Sequence, residues 1–522
     1  MEMNIKFLIK HITARSAVIE LVEAGKYRTK EYDVYINDEL ILHSDKMVES
    51  IYGLKPDTTY KINLVRNNIE SETLYFTTRY EFVTLNVRDF GAKGDGMTDD
   101  TKYLQAAILS CPKDSRVYVP KGTYRFTNLF LKSNLILELH EEATLLAIPD
   151  KHQLPVLPGR IESYDETGEY QLASWEGNPL DSFASLLTGI QVENVIICGR
   201  GTIDGCGDFE NWWNVEKRRK DPARPRMLFL NRCKNVTVQG VTIRNSPAWN
   251  MHPYFSEQIR FIDLTILSPA HSHNTDGIDP ESCNDVLILG VHFSVGDDCI
   301  AIKSGKIYMG RKYKKPSKNI KISHCFMEKG HGAVTIGSEI GAGVDGIYVT
   351  DCVFSDTDRG MRIKTRRGRG RDSVLQNIVF ERIYMNHVKT PFAINSFYYC
   401  DPDGKTEYVA CKTPLPVDER TPEIKNLALR NIVCENSHVT AAYFYGLPEK
   451  KIESIQMENI HVTYAIDAKE GKADMMLSCE RTVKQGLFAR NVKNLSFTNV
   501  VIEGNLGKTI DIEEVEEFVN QS

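Results

Sequence analysis

The chain has 522 residues, 42% apolar and 26% charged, with a formal net charge of −6. This is the composition of an ordinary folded protein, long for one globule; it disfavours disorder and lacks the basic surplus of a dedicated nucleic-acid binder. No run of about 18 uninterrupted apolar residues occurs, so no membrane-spanning helix is expected.

The N-terminus, MEMNIKFLIKHITARSAVIELV, alternates apolar side chains with Lys6, Lys10, Arg15 and Glu20. That is strand patterning, not the continuous apolar core of a secretion signal. The twelve cysteines are scattered singly, with no CxxC pair. We expect reduced, mostly buried thiols, no zinc site and a cytoplasmic protein.

Residues 1–80 carry short alternating runs (IKFLIK, AVIELV, YDVYIN, YKINLV, TLYFTT) separated by turn signals, the pattern of a small β-sandwich. Tyr60, in GLKPDTTYKINLV, resembles the tyrosine corner of fibronectin type III domains, where a Tyr hydroxyl ties back to the backbone. A different pattern occupies residues 81–522. It opens with the turn-rich DFGAKGDG, after which Thr98 or Asp99 should N-cap a helix at about 100–110. We read the Asp99–Asp100 pair as capping, not catalytic, and the helix as a cover for the open end of a β-solenoid.

From about residue 190 a loose repeat appears: NVIICGRGTIDG, NVTVQGVTIRNS, QIRFIDLTILSP, DVLILGVHFSV, NIKISHCFMEKG, GIYVTDCVFSDT and further units to NLSFTNVVIEGN. Each unit has two short strand-like runs joined by a bend. Imperfect repeats near 25–30 residues, rich in Val and Ile, predict a parallel β-helix with one coil per repeat. A propeller would want about 40 residues and four strands per blade, and the leucine-rich consensus is missing.

Four motifs fall in four consecutive repeats: Asn274-Thr275-Asp276, Gly296-Asp297-Asp298, Gly330-His331-Gly332 and Arg362-Ile363-Lys364. Asp276 follows Gln258 by 18 residues, Asp297 follows Asp285 by 12, His331 follows Asn319 by 12 and Arg362 follows Gly346 by 16. Similar phase in a β-helix means stacking on one face, with coils about 4.8 Å apart. Three carboxylates so close cannot ionise independently, and the division into a protonated acid and ionised bases suits glycoside hydrolysis. An inverting enzyme would hold acid and base about 6.5–9.5 Å apart. Turn formation or metal binding is the plainer reading of any single Asp here. The stretch Arg359–Arg371 adds seven basic residues and no acid, which in an acidic chain calls for an anionic partner. Arg362 and Lys364 flank Ile363 and so share one strand face, suited to gripping a uronate carboxylate; Arg366 to Arg371 are also readable as a solvated charge run.

These motifs, in this order and spacing, resemble glycoside hydrolase family 28, the polygalacturonases. The likeness covers roughly residues 84–510 and includes DFGAKGDGMTDDT, GRGTIDG and Arg224-Pro225. It implies a right-handed, single-stranded parallel β-helix and an inverting hydrolysis of α-1,4-galacturonosyl linkages in polygalacturonate or oligogalacturonides, with no cofactor and no metal. By that likeness Asp297 is the general acid, Asp276 and Asp298 hold and deprotonate the water, and His331 supports the acid. Arg362 and Lys364 would bind the galacturonate carboxylate, with Tyr398 and Asn274 as further groove residues; Lys303, Trp249 and His252 read equally as groove-wall residues or as core or turn residues. An N-terminal fibronectin-like domain resembles that of bacterial exopolygalacturonases. The inserted segment from Lys151 to Phe183, with Pro155, Pro158, Tyr164, Tyr170 and Trp175, is long enough to close one end of the groove. Rhamnogalacturonan or xylogalacturonan hydrolysis, a pectate-lyase-like elimination and a non-catalytic sugar-binding β-helix are the alternatives.

Overall fold

Aliphatic residues at alternate positions of the repeats stack coil upon coil. A computed structural model describes residues 5–162, 169–214 and 220–521. In it, Ile259, Val286, Ile320, Ile347, Ile378, Leu427 and Ile455 are in-register partners on successive parallel strands, all essentially buried. Each rung buries a Val, Ile or Leu side chain worth roughly 1.5–3 kcal/mol. Thirty strands join into one continuous parallel stack, a parallel β-helix.

Each coil visits three faces. Strands such as Lys234–Gln239, Glu257–Ile262 and Asn284–Leu289 form the first stack, and Thr242–Arg244, Thr265–Leu267 and His292–Ser294 the second. Met251–Tyr254, Ile300–Ile302, Val334–Gly337 and Arg359–Lys364 lie in the third. The bend into the first stack repeatedly places Asn in the left-handed region, as at Asn134, Asn194 and Asn235, a conformation Asn tolerates better than most residues. Asn194 donates to Asn134 at 3.1 Å, and Asn235 to Asn194 at 2.8 Å.

The helix is present at Thr101–Ser110, but its N-cap position is Asp100, one residue beyond the expected cap. Asp99 does accept from the Thr101 amide at 2.9 Å, whereas the buried Asp100 carboxylate accepts from the Lys93 and Gly94 amides and pins the preceding loop. The helix packs Leu104, Ala107 and Ile108 into the solenoid core at its N-terminal end.

Strands between Phe7 and Thr77 form two antiparallel sheets. The Tyr60 hydroxyl accepts from the Lys55 amide at 2.7 Å, the tie expected of a tyrosine corner. The sheets pack on the first stack, sharing a core with Ile262 and Leu289, and Lys46 pairs with Asp263 at 2.8 Å. All twelve cysteines are free, and nine are buried in the solenoid or its loops, as at Cys198, Cys283 and Cys325. Among the described residues no helix is long and apolar enough to cross a membrane.

Candidate active site

The third stack runs Met251, Ile278, Ile300, Val334, Met361, Phe392 as laterally paired rungs. Two residues before three of these rungs stand Asp276, Asp298 and Gly332; three residues before stand Asp297 and His331. The acidic residues therefore arrive from the bend between the second and third stacks on consecutive coils, and one oxygen of each of Asp276, Asp297 and Asp298 lies within 4.8 Å of the other two. That is closer than the acid–base spacing expected for inversion, because two of the residues are sequence neighbours and the third is one coil away.

The three differ in exposure and charge. Asp298 is fully buried; its Oδ2 accepts from Lys364 Nζ at 2.8 Å and its Oδ1 from Arg362 Nη1 at 3.3 Å. Burial alone would raise its pKa, but Lys364 and Arg362 hold it well below the usual carboxylate range. Asp276 is buried with Oδ1 unpartnered, and burial followed by the Asp279 and Asp297 carboxylates pushes its pKa well up, against Lys303. Asp297 alone is part-open, with His331 Nδ1 at 3.3 Å from its Oδ1. That contact raises the His331 pKa.

Glycines make this crowding possible. A Cβ on Gly332 would lie 2.7 Å from Asp298 Oδ1 and 2.2 Å from Thr335 Oγ1, and one on Gly277 would lie 2.3 Å from the Cys299 carbonyl. Contacts that short do not occur between real atoms, so the glycine after His331 is what leaves Asp298 room.

Beneath the trio lies a buried ionic layer that sequence reasoning missed. Lys303 reaches Asp279 and Glu339 at 3.4 Å each and Asp276 at 4.0 Å. Burial raises Asp279 to about 7 and Glu281 to about 8; Glu339, despite burial, is drawn down to about 2 by Lys303 and Lys364. Lys303, expected in the groove wall, is buried inside this layer, and Trp249 lies buried beneath its ammonium at 4.8 Å. His252 is also not a groove residue: it is wholly buried, its Nε2 2.8 Å from Glu281, and burial keeps it neutral. Asn274 is half-buried and accepts from Arg224 at 2.6 Å. Tyr398, expected to contact substrate, is largely buried, with Lys364 Nζ 5.4 Å from its ring.

Most of the basic stretch finds its anions within the chain; of the arginines from Arg366 to Arg371, only Arg371 is exposed. Arg362 also binds Asp474 at 2.9 Å, Arg366 binds Asp401 at 3.1 Å and Asp403 at 2.7 Å, Arg367 binds Glu449 at 2.6 Å, and Arg369 binds Asp401. Arg362, Arg367 and Arg369 are almost fully buried. Buried charges require such partners, and these partners lie on loops far along the chain. Asp401 also holds Lys306 at 2.9 Å, which ties the loop after Tyr398 to the coil after Lys303.

Of the inserted segment, Tyr164 lies outside the described residues. Trp175 stacks on Trp249 with centroids 5.2 Å apart and planes 8° apart, and Arg224 and Arg226 flank its ring. Gly177 accepts from the Lys306 amide at 2.9 Å. The segment thus covers the third stack beside the carboxylates. A cavity of about 730 Å³ lined by Trp175, Glu176, Arg224 and Asn274 opens alongside.

This arrangement agrees with comparison to known proteins. The model of glycosyl hydrolases family 28 matches residues 165–487. The chain belongs to that family. A model described as rhamnogalacturonase A/epimerase, pectate lyase-like, matches residues 84–137. A probable polygalacturonase of Vitis vinifera is 32% identical over 390 residues, covering 73% of this chain and 74% of that one. An exo-poly-alpha-D-galacturonosidase of Dickeya chrysanthemi is 26% identical over 436 residues, 74% and 69% of the two chains. An endo-polygalacturonase of Pectobacterium carotovorum is 30% identical over 321 residues, 59% and 74%. In fold, the family 28 exopolygalacturonase of Yersinia enterocolitica superposes with a TM-score of 0.73 over 98% of both chains at 19% identity.

Proposed function

We propose that this family 28 hydrolase cleaves α-1,4-galacturonosyl linkages of polygalacturonate or its oligomers from a chain end, with inversion. The carrying observation is the unequal exposure of the three carboxyl groups: Asp297 is part-open beside His331, whereas Asp276 and Asp298 lie buried beneath it. A buried carboxylate with both oxygens committed to Lys364 and Arg362 is poorly placed to bond a sugar carbon itself. Water is the better nucleophile. Asp297 delivers its proton to the leaving glycosidic oxygen as the bond to the anomeric carbon breaks. The water oxygen bonds to that carbon, and its proton passes to the ionised Asp298, with Asp276 orienting it. His331 shares a proton with Asp297 and restores the acid.

Arg362 and Lys364 act first on Asp298, and Lys364, with donors to spare and Tyr398 beside it, is left to receive a galacturonate carboxylate. Exo action is supported by the inserted segment, whose Trp175 stacks on Trp249 and lines the cavity with Glu176, and by the Dickeya relative's name. Sizing early products from long polygalacturonate tests it: monomer or dimer alone is expected, and a spread of oligomers refutes chain-end cleavage. A lyase would need a cation among the carboxylates and give an unsaturated product absorbing near about 235 nm. Three buried cations, Lys303, Arg362 and Lys364, already face these carboxylates, so activity should survive a chelator without that absorbance.

A further inference from the structure

The antiparallel sheets and the first solenoid coils leave a cavity of about 760 Å³ between them, within the size range of small-ligand sites. Its solenoid wall carries Asn134, Asn194 and Asn235, where the chain turns from the third stack into the first. The catalytic carboxylates sit at a different corner of the coil, between the second and third stacks. A ligand in this cavity therefore does not touch them.

The lining is cationic in a chain whose net charge is −6. Lys10, Arg79, Lys113 and Arg260 face one carboxylate, Asp114. Lys10 is satisfied by Glu20 at 2.8 Å. Among the described residues no carboxylate forms an ion pair with Arg79, Lys113 or Arg260. Arg260 is instead oriented by the asparagine ladder, donating to Asn235 Oδ1 at 3.1 Å. His11 lines the same space. Burial and the nearby Arg79 and Arg260 push its pKa down to about 4, so the ring is neutral, and its Nε2 is buried without a partner.

Unpaired guanidinium and ammonium groups recognise a carboxylate, while a neutral imidazole and amides serve hydroxyls. That combination fits an acid bearing many hydroxyl groups better than a bare anion. We propose that the cavity between the sandwich and the solenoid is a second carbohydrate site that holds an oligouronide apart from the segment being cleaved. Its ligand class rests on the galacturonate reading above; its position and charge do not. A second attachment would keep a released chain near the groove by raising its effective concentration.

Calorimetric titration of the Asp297→Asn protein with trigalacturonate tests this. Adding Arg79→Glu and Lys113→Glu, both at exposed positions, should lower the number of trimers bound by one, the lost site weakened about tenfold or more by removal of charge-assisted bonds. The milder pair Arg79→Gln and Lys113→Gln should do the same, with unchanged thermal unfolding confirming the fold. With Asp297 intact, the double variants should cleave the trimer at the wild-type rate. Galactotriose, which lacks carboxylates, should not fill the second site. The proposal is overturned if the number bound does not fall, if galactotriose fills the site equally, or if inorganic phosphate holds it against the trimer. Failure of the wild type to cleave the trimer would instead strike the hydrolase reading and leave the change in stoichiometry as a separate result.

Discussion

Replacing Lys364 with Gln separates two roles that the motif alone merges. Lys364 Nζ lies 2.8 Å from Asp298 Oδ2 in a buried pair. A hydrogen bond to a charged group is worth about 1.5–3 kcal/mol, which converts to about one to two pKa units. Losing it should raise the Asp298 pKa by that amount, with Arg362 left to hold the carboxylate. In the proposed mechanism Asp298 takes the water proton and must be ionised to do so, so the acid limb of kcat/KM against pH should move up by about one to two units. The fold should also weaken by about 3 kcal/mol, at the low end for breaking a buried pair because one cation remains. This contribution is present above the unfolded Asp pKa and lost as pH falls below it. Reducing-sugar release from trigalacturonate, sampled from about pH 2 to 8 so that the depressed Asp298 limb is included, reads the effect. If KM rises while the pH profile stays put, Lys364 serves only the substrate and the role assigned to it on Asp298 is wrong.

Other consequences follow from the same geometry. His331→Ala should shift the alkaline limb toward acid, since the His331–Asp297 pair holds its shared proton above the ordinary His pKa; an unmoved limb would remove His331 from proton delivery. Gly332→Ala, whose Cβ would crowd Asp298 and Thr335, should cost about 1–3 kcal/mol of stability and much of kcat, and a wild-type kcat would show that the site relaxes freely. Asp279 and Glu281 are raised by burial to about 7 and 8. A raised carboxyl stabilises the fold below its unfolded pKa and loses that contribution as pH rises through the folded value. Unfolding free energy should therefore fall between about pH 4 and 8, and Asp279→Asn should flatten the decline; parallel curves would contradict the burial argument.

The fold was legible because Val and Ile recur where each coil turns inward, so that Ile259 to Ile455 align as one column. Asp297 and His331 were legible as a pair of equal phase, and the ladder confirms that spacing. Arg362 and Asp276 were not placed as well by counting from repeat starts, because inserted residues in the bends change the count while the strand register stays fixed. The ionic layer was invisible for another reason: Asp279 and Glu281 look like turn residues in NTDGIDPES, and nothing local marks them as buried. The anions for Arg366, Arg367 and Arg369 could not be read either. Asp401 and Glu449 are 35 and 82 residues from their partners on loops without periodicity. His252 and Trp249 could be read either as groove wall or as core, because an aromatic beside a groove and one beneath it have the same sequence signature; both are buried.

If Asp297, the one part-open carboxyl group of the trio, protonates the leaving oxygen, removing its proton must abolish most turnover. Turnover of trigalacturonate by Asp297→Asn, with the fold verified by thermal unfolding, measures this directly. A fall in kcat of at least about 10²–10⁴-fold is predicted, the size of acid–base assistance alone. A folded variant that turns over within a few-fold of the wild type would contradict it.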